Sequence, residues 1–148
     1  MHIPKPIFKH AFQITIENVS ADSSPEYFYA VEGLGVSYQT EQYLPGGYNQ
    51  PFDMPTVYQT TYLTFKRPLL ADKTNITTWC EEALDTGLFK PTIAHIFIVG
   101  KKEEVQIHWL VEGIYPVGLK IAALDLEAEN AVVMETMTLV YTRVKRIS

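Results

Sequence analysis

Residues 36–55 read VSYQTEQYLPGGYNQPFDMP, and the chain changes character halfway along them. From Ser37 to Tyr43, β-branched and aromatic residues suit an extended, half-buried backbone. After that, Pro45, Gly46, Gly47, Asn49, Pro51 and Pro55 fall within eleven residues, which excludes a regular helix. Proline lacks an N–H to donate, so these residues fit a sheet only at its edge. Leu44, Tyr48, Phe52 and Met54 are nonetheless large and mostly apolar, more than a solvated loop needs. Such an excursion either folds down over its own domain or reaches into another subunit. Composition leaves both open.

Working outward, short alternating segments recur. Phe12, Ile14 and Ile16 alternate with Gln13, Thr15 and Glu17, the period of a strand with one buried face. Further strands are expected at 27–31, 34–43 and 57–66, the last becoming apolar only towards its far end. Residues 92–99 and 104–111 read as a hairpin with its tip at Lys101 and Lys102, which pairs Val99 with Glu104 and His95 with His108. That register puts Ala94, Ile96 and Ile98 on one core face with Val105, Ile107 and Trp109. Gly113, Pro116 and Gly118 interrupt, and 119–126 and 131–144 supply closing strands. One helix is expected: Ile76, Trp79, Cys80, Ala83 and Leu84 share a face, Thr74 serves as N-cap and Gly87 as terminator. The expected fold is mainly β, an antiparallel barrel or sandwich with one flanking α-helix. Residues 1–148 form a single domain, with 1–10 as an extended N-terminal arm and 44–56 as a protruding loop.

Composition narrows the chemistry. Twelve basic against seventeen acidic side chains give a net charge of -5, which opposes general binding to nucleic-acid phosphates. Nine tyrosines without a basic surround are better explained by packing than by base stacking. No apolar run approaches the ~18 residues of a membrane-spanning helix, and residues 1–10 lack a signal-peptide hydrophobic segment, so synthesis in the cytosol is expected. Cys80 is the single cysteine, which removes internal disulfides and thiolate zinc frameworks, and its inward helical position suits an inert thiol. No phosphate loop, dinucleotide glycine pattern, nucleophile elbow or HExxH motif is present. His95 and His108 could share a metal, but the register sets nothing acidic or sulfur-bearing beside them, so they read as ordinary strand histidines. Asp125, Glu127 and Glu129 lack the glycine turn and final glutamate of a calcium loop. No cofactor, metal or catalytic residue is expected.

Taken in order, the same residues resemble the tail-tube protein family of contractile phages and phage-derived contractile injection systems. Val31-Glu32-Gly33-Leu34 is followed by Tyr38, Thr40 and Glu41-Gln42-Tyr43, then Gly46-Gly47, Asn49 and Met54-Pro55. Leu63-Thr64-Phe65-Lys66-Arg67 matches a strand end, Thr78-Trp79 with Leu84 a helix, and Ile114-Tyr115-Pro116 a bend. Asp125, Asn130-Ala131-Val132, Glu135 and Leu139 complete the final strand. The resemblance runs over about residues 11–142, and its weight lies in the combined order of individually loose motifs. Thr56 stands where the family often has glycine, and Pro68 replaces the glycine after the basic pair.

The resemblance implies a barrel that forms homo-hexameric rings stacking head to tail into a hollow inner tube, a conduit for cargo. It implies a surrounding sheath, a baseplate or spike and tube-terminating proteins as partners, in a phage tail or injection particle. The departures leave room for a tube-initiator ring beside the baseplate or a type VI secretion ring. On the residues alone, a small barrel binding an apolar ligand is a more distant alternative. The inter-ring contact is expected on Tyr43, Leu44, Gly46, Gly47, Tyr48, Asn49, Phe52, Met54 and Pro55, apolar anchors on a proline-stiffened backbone.

Overall fold

The structure, a computed structural model, describes residues 11–20, 25–47, 49–100, 104–122 and 133–147. The arm at 1–10, Tyr48, the Lys101-Lys102 tip, and Asp125, Glu127 and Glu129 lie outside the described residues. The strands are β1 (Ala11–Ile16), β2 (Glu26–Phe28), β3 (Ala30–Glu32), β4 (Val36–Tyr43), β5 (Phe52–Thr60), β6 (Leu63–Pro68), β7 (Thr92–Val99), β8 (Val105–Ala122), β9 (Met134–Val140) and β10 (Arg143–Arg146), with helix α1 at Asn75–Thr86.

The main sheet runs β2-β1-β7-β8-β9-β6-β3, with β10 added along β8. Its two ends meet. β2 and β3 are one stretch of chain broken only at Tyr29: Phe28 pairs with Phe12 of β1, and Ala30 pairs with Lys66 of β6. The Tyr29 N–H itself donates to the Lys66 carbonyl at 3.1 Å. The sheet therefore curls round on itself into an antiparallel barrel, the architecture expected. Closure leaves alternate side chains inside, where Ile14, Ile16, Leu63, Phe65, Ala94, Ile96, Val111, Met137 and Leu139 are buried together.

Helix α1 packs against β8 and has the expected ends. The Thr74 hydroxyl accepts the Thr77 N–H, and Gly87, left-handed at φ 69°, donates its N–H to the Ala83 carbonyl. Ile76, Cys80 and Ala83 are buried, and Trp79 packs at their margin.

Several expected boundaries are corrected. β8 is one unbroken strand where glycine and proline predict an interruption, because bulges bend a strand without ending it. Gly113, at φ 69°, takes the bend, and a register shift against β9 between Pro116 and Gly118 absorbs the rest. The expected strand at 57–66 is two strands, split at Thr61 and Tyr62, and that at 131–144 is split at Tyr141 and Thr142. The hairpin register also differs: His95 lies opposite Leu110, and His108 opposite Phe97. A bulge at Ile98/Val99 and the Gly100 N–H bonded to Glu104 O lengthen the turn, moving the pairing by two residues. An even shift preserves the facing side chains, so Ala94, Ile96, Ile98 and Ile107 are still buried, while Val105 is exposed.

Candidate functional site

β4 and β5 form a sheet of their own, a two-stranded antiparallel ribbon that leaves the barrel between β3 and β6. Every residue of β4 is exposed, and in β5 only Thr60, at the root, is partly covered. The irregular loop is thus shorter than the expected 44–56. Leu44, Pro45, Gly46, Gly47, Asn49, Gln50 and Pro51 lie in the tip, where Gly47 has φ 88°, while Phe52, Met54 and Pro55 belong to β5. The prolines hide that strand in the sequence. Pro55 is tolerated because it lies opposite Thr40, where the register slips and one strand carries an extra residue.

The ribbon is greasy at both ends, on opposite faces. Near the tip, Tyr43 lies opposite Phe52 and Met54 opposite Glu41. Near the root, Tyr38 and Tyr58 face each other with rings edge-on at 5.5 Å, beside Val36. Along β4, Tyr43 and Tyr38 differ by an odd number of residues, so the pleat turns these patches to opposite sides. Leu44 is 59% exposed, Tyr38 56%, and Phe52 and Met54 47% each. An isolated two-stranded ribbon is at best marginal in water.

Its root is fastened to the barrel around one residue, Tyr141. Tyr141, 4% exposed in the gap between β9 and β10, aims its hydroxyl at the incoming leg. The hydroxyl proton lies between Gly33 O at 2.7 Å and Gly35 O at 2.6 Å, and its oxygen accepts the Gly35 N–H at 3.0 Å. The outgoing leg closes the same knot: Thr60 Oγ1 donates to the Tyr141 carbonyl at 2.7 Å, and Thr61 Oγ1 to the Gly33 carbonyl at 2.9 Å. Gly33 has φ 98°, and a Cβ there would run into the Tyr62 carbonyl. The two legs cross where only glycine fits.

A buried ionic cluster, unanticipated from the sequence, ties the helix to the barrel wall. Arg67 is 3% and Glu135 2% exposed. Arg67 Nε donates to Glu135 Oε2 at 3.0 Å, Nη1 to Glu26 Oε1 at 2.8 Å, and Nη2 to the hydroxyls of Thr74 and Thr77 at 2.8 and 2.9 Å. Glu26 Oε2 accepts the Ile76 N–H at the start of α1, and Thr77 donates to Glu135 Oε1. The guanidinium also lies 4.4 Å from the Phe28 ring centre. Strand parity holds the missed signal. Arg67 continues Leu63 and Phe65, and Glu135 precedes Met137 and Leu139, so both point inward.

Two histidines and the cysteine are the other reactive groups among the described residues. His95 Nδ1 and His108 Nε2 are 2.9 Å apart across diagonal positions, and Phe97 stacks on the His108 ring at 4.3 Å. Contrary to the register expectation, a carboxylate does come close: Glu17 Oε1 is 3.2 Å from His95 Nε2. It meets the ring's far nitrogen, so the three groups do not converge, and among the described residues no group of three could hold a metal. Burial, then the nearby Glu135 charge, pushes the Cys80 thiol up to about 12, so it is a poor nucleophile. No helix among the described residues is long and apolar enough to cross a membrane.

The chain matches the family described as T4-like virus tail tube protein gp19 over residues 8–145. Among solved structures, it superposes on a chain of the PVC sheath-tube complex of an extracellular contractile injection system in the extended state. That chain is 23% identical with a TM-score of 0.78, covering 98% of this chain and 92% of the other. A chain of the anti-feeding prophage tube-terminating cap is 21% identical, TM-score 0.80, over 100% and 95%. One of the anti-feeding prophage baseplate is 17% identical, TM-score 0.79, over 100% and 98%. No curated protein matches the sequence.

Proposed function

The chain belongs to the T4-like virus tail tube protein family and is a structural subunit of such a tube, and from that premise we propose how it assembles. Copies close into a hexameric ring, and rings stack head to tail into a hollow conduit through which cargo passes when an outer sheath contracts. The β4–β5 ribbon is the contact between rings. Tyr43, Leu44, Phe52, Met54 and Pro55 bind the next ring, Gly46, Gly47 and Asn49 shape the tip, and Tyr48 belongs to the same tip by sequence.

The observation that carries this is the ribbon itself, exposed on both faces with apolar groups at opposite ends. Opposed patches suit an arm lying between two neighbours, the tip against one and the root against another. At eight residues, β4 reaches about 25 Å, far enough to leave its own barrel. Burying ~400 Å² of apolar surface would contribute about 10 kcal/mol before association costs, enough to drive stacking. A head-to-tail contact of this kind does not close on itself, so it extends as long as subunits are supplied. The sheath, the baseplate or spike and the terminating proteins would meet such a tube along its wall and at its ends. A second position is supported by the baseplate similarity: a specialised ring at the end of the tube, distinguished by imaging the intact particle.

The test is negative-stain microscopy and light scattering of the purified chain beside Phe52→Ser/Met54→Ser. Wild type is expected to form rings and tubes, and the variant to keep the barrel's Tm but not stack. A wild-type protein that stays monomeric at high concentration in every salt, or a variant that forms normal tubes, overturns the proposal.

A further inference from the structure

The β4–β5 ribbon has few ways to hold a direction. Its dense contacts are between its own two strands. It joins the barrel through two short legs, and both end on Tyr141. We infer that Tyr141 is a positioning residue for assembly: its hydroxyl, knotted to Gly33 and Gly35, fixes the angle at which the ribbon leaves the barrel and so presents it ready for docking. This rests on the ribbon being the inter-ring contact.

The geometry supports it in three ways. Tyr141 is anchored in the wall, with its ring in the hydrophobic core and its backbone between β9 and β10. Its hydroxyl engages the incoming leg at three backbone atoms, which restrains rotation better than one bond. Thr60 and Thr61 tie the outgoing leg to the Tyr141 and Gly33 carbonyls, so the legs cannot swing separately. Without the hydroxyl, the barrel keeps its phenyl ring and packing while the ribbon gains a hinge. An arm pointing the right way only part of the time binds more weakly by that fraction.

The experiment compares wild type with Tyr141→Phe in the full chain, carrying spin labels at Gln50→Cys in the tip and Lys90→Cys on the body. Distance distributions are measured by pulsed electron resonance at concentrations where light scattering detects no tubes. Barrel integrity is followed by near-ultraviolet circular dichroism. The expected result is an intact barrel, a distribution at least twice as broad, and a threshold concentration for tube formation raised about tenfold, as a tenth-populated competent orientation requires. A distribution as narrow as wild type overturns the inference. A broad distribution with an unchanged threshold also overturns it, and Phe52→Ser/Met54→Ser then separates the causes. If that variant fails to stack, only the positioning role is lost; if it stacks normally, the ribbon contact is lost too. Should Tyr141→Phe not fold, Tyr141→Met, which keeps an apolar side chain in the core and likewise lacks the hydroxyl, carries the same comparison and the same outcomes.

Discussion

Replacing Arg67 by methionine removes the cation on which two carboxylates converge. The side chain is 3% exposed, and its partners Glu135 and Glu26 are 2% and 11% exposed. Breaking a buried, hydrogen-bonded ion pair from one side costs about 3–5 kcal/mol, because the remaining charge stays buried. Here Glu135 loses its Nε donor and keeps only the Thr77 hydroxyl, whereas Glu26 keeps the Ile76 N–H. Arg67→Met should therefore lose about 4 kcal/mol, a fall of roughly 10 °C in Tm for a domain of this size. Arg67→Met/Glu135→Leu removes both ends of the most buried pair and should recover all but about 1–2 kcal/mol. The assay is urea unfolding followed by tryptophan fluorescence, at a fixed protein concentration below ring formation, since assembly adds stability of its own. The coupling expected from the cycle is therefore about 2–3 kcal/mol plus whatever Glu135→Leu costs alone. A loss under about 1 kcal/mol for Arg67→Met, or a double variant as unstable as the sum of the singles, refutes this account of the cluster.

Gly33→Ala forces a side chain into the Tyr62 carbonyl at a left-handed backbone position. It should cost about 2–3 kcal/mol by thermal melting, while Gly46→Ala, in open space at the tip, should change Tm by less than a degree or two. Burial, and secondarily the neighbouring His95, holds His108 below its ordinary value of 6.5. The unfolded chain then takes up the proton more readily, so stability is full above about pH 6.5 and declines as pH falls through the folded value. His108→Gln should flatten that part of the pH–stability curve, with Glu17 and His95 left in place, and an unchanged curve contradicts it. Cys80 should react with a thiol reagent only as fast as the barrel opens, and rapid modification of the folded protein would show that its thiol is not buried as described.

Much of the barrel was legible because its signals are local and strong. Phe12, Ile14 and Ile16 are buried as their alternation requires, and Thr74 and Gly87 bound α1 as their chemistry predicts. The polar near end of the 57–66 segment foretold an exposed stretch, since Val57 and Tyr58 are exposed while Leu63 and Phe65 are buried. What escaped were features set by distant parts of the chain. Pairing with β4 makes a strand of Phe52–Thr60 despite Pro55, and pairing with β7, β9 and β10 carries β8 through Gly113. Parity with Leu63 and Phe65, and with Met137 and Leu139, turns Arg67 and Glu135 inward, but parity does not say that they meet. Their shared cluster exists only once β6 and β9 lie side by side, with Arg67 opposite Glu135. Along β4 the odd spacing of Tyr38 and Tyr43 already divides them between two faces, whereas on β5 the even spacing of Met54 and Tyr58 would put them together without the bulge.

β3 and β6 are hydrogen-bonded neighbours, with Glu32 opposite Thr64, even though the whole ribbon is strung between them. In wiring terms the ribbon is an insertion into a tight hairpin, so excising it would leave two strands already in register and needing only a short turn. The barrel can thus serve as a fixed chassis while the appendage is lengthened, trimmed or grafted from a relative. An exchange of that one cassette is where compatibility between subunits from different particles should be decided.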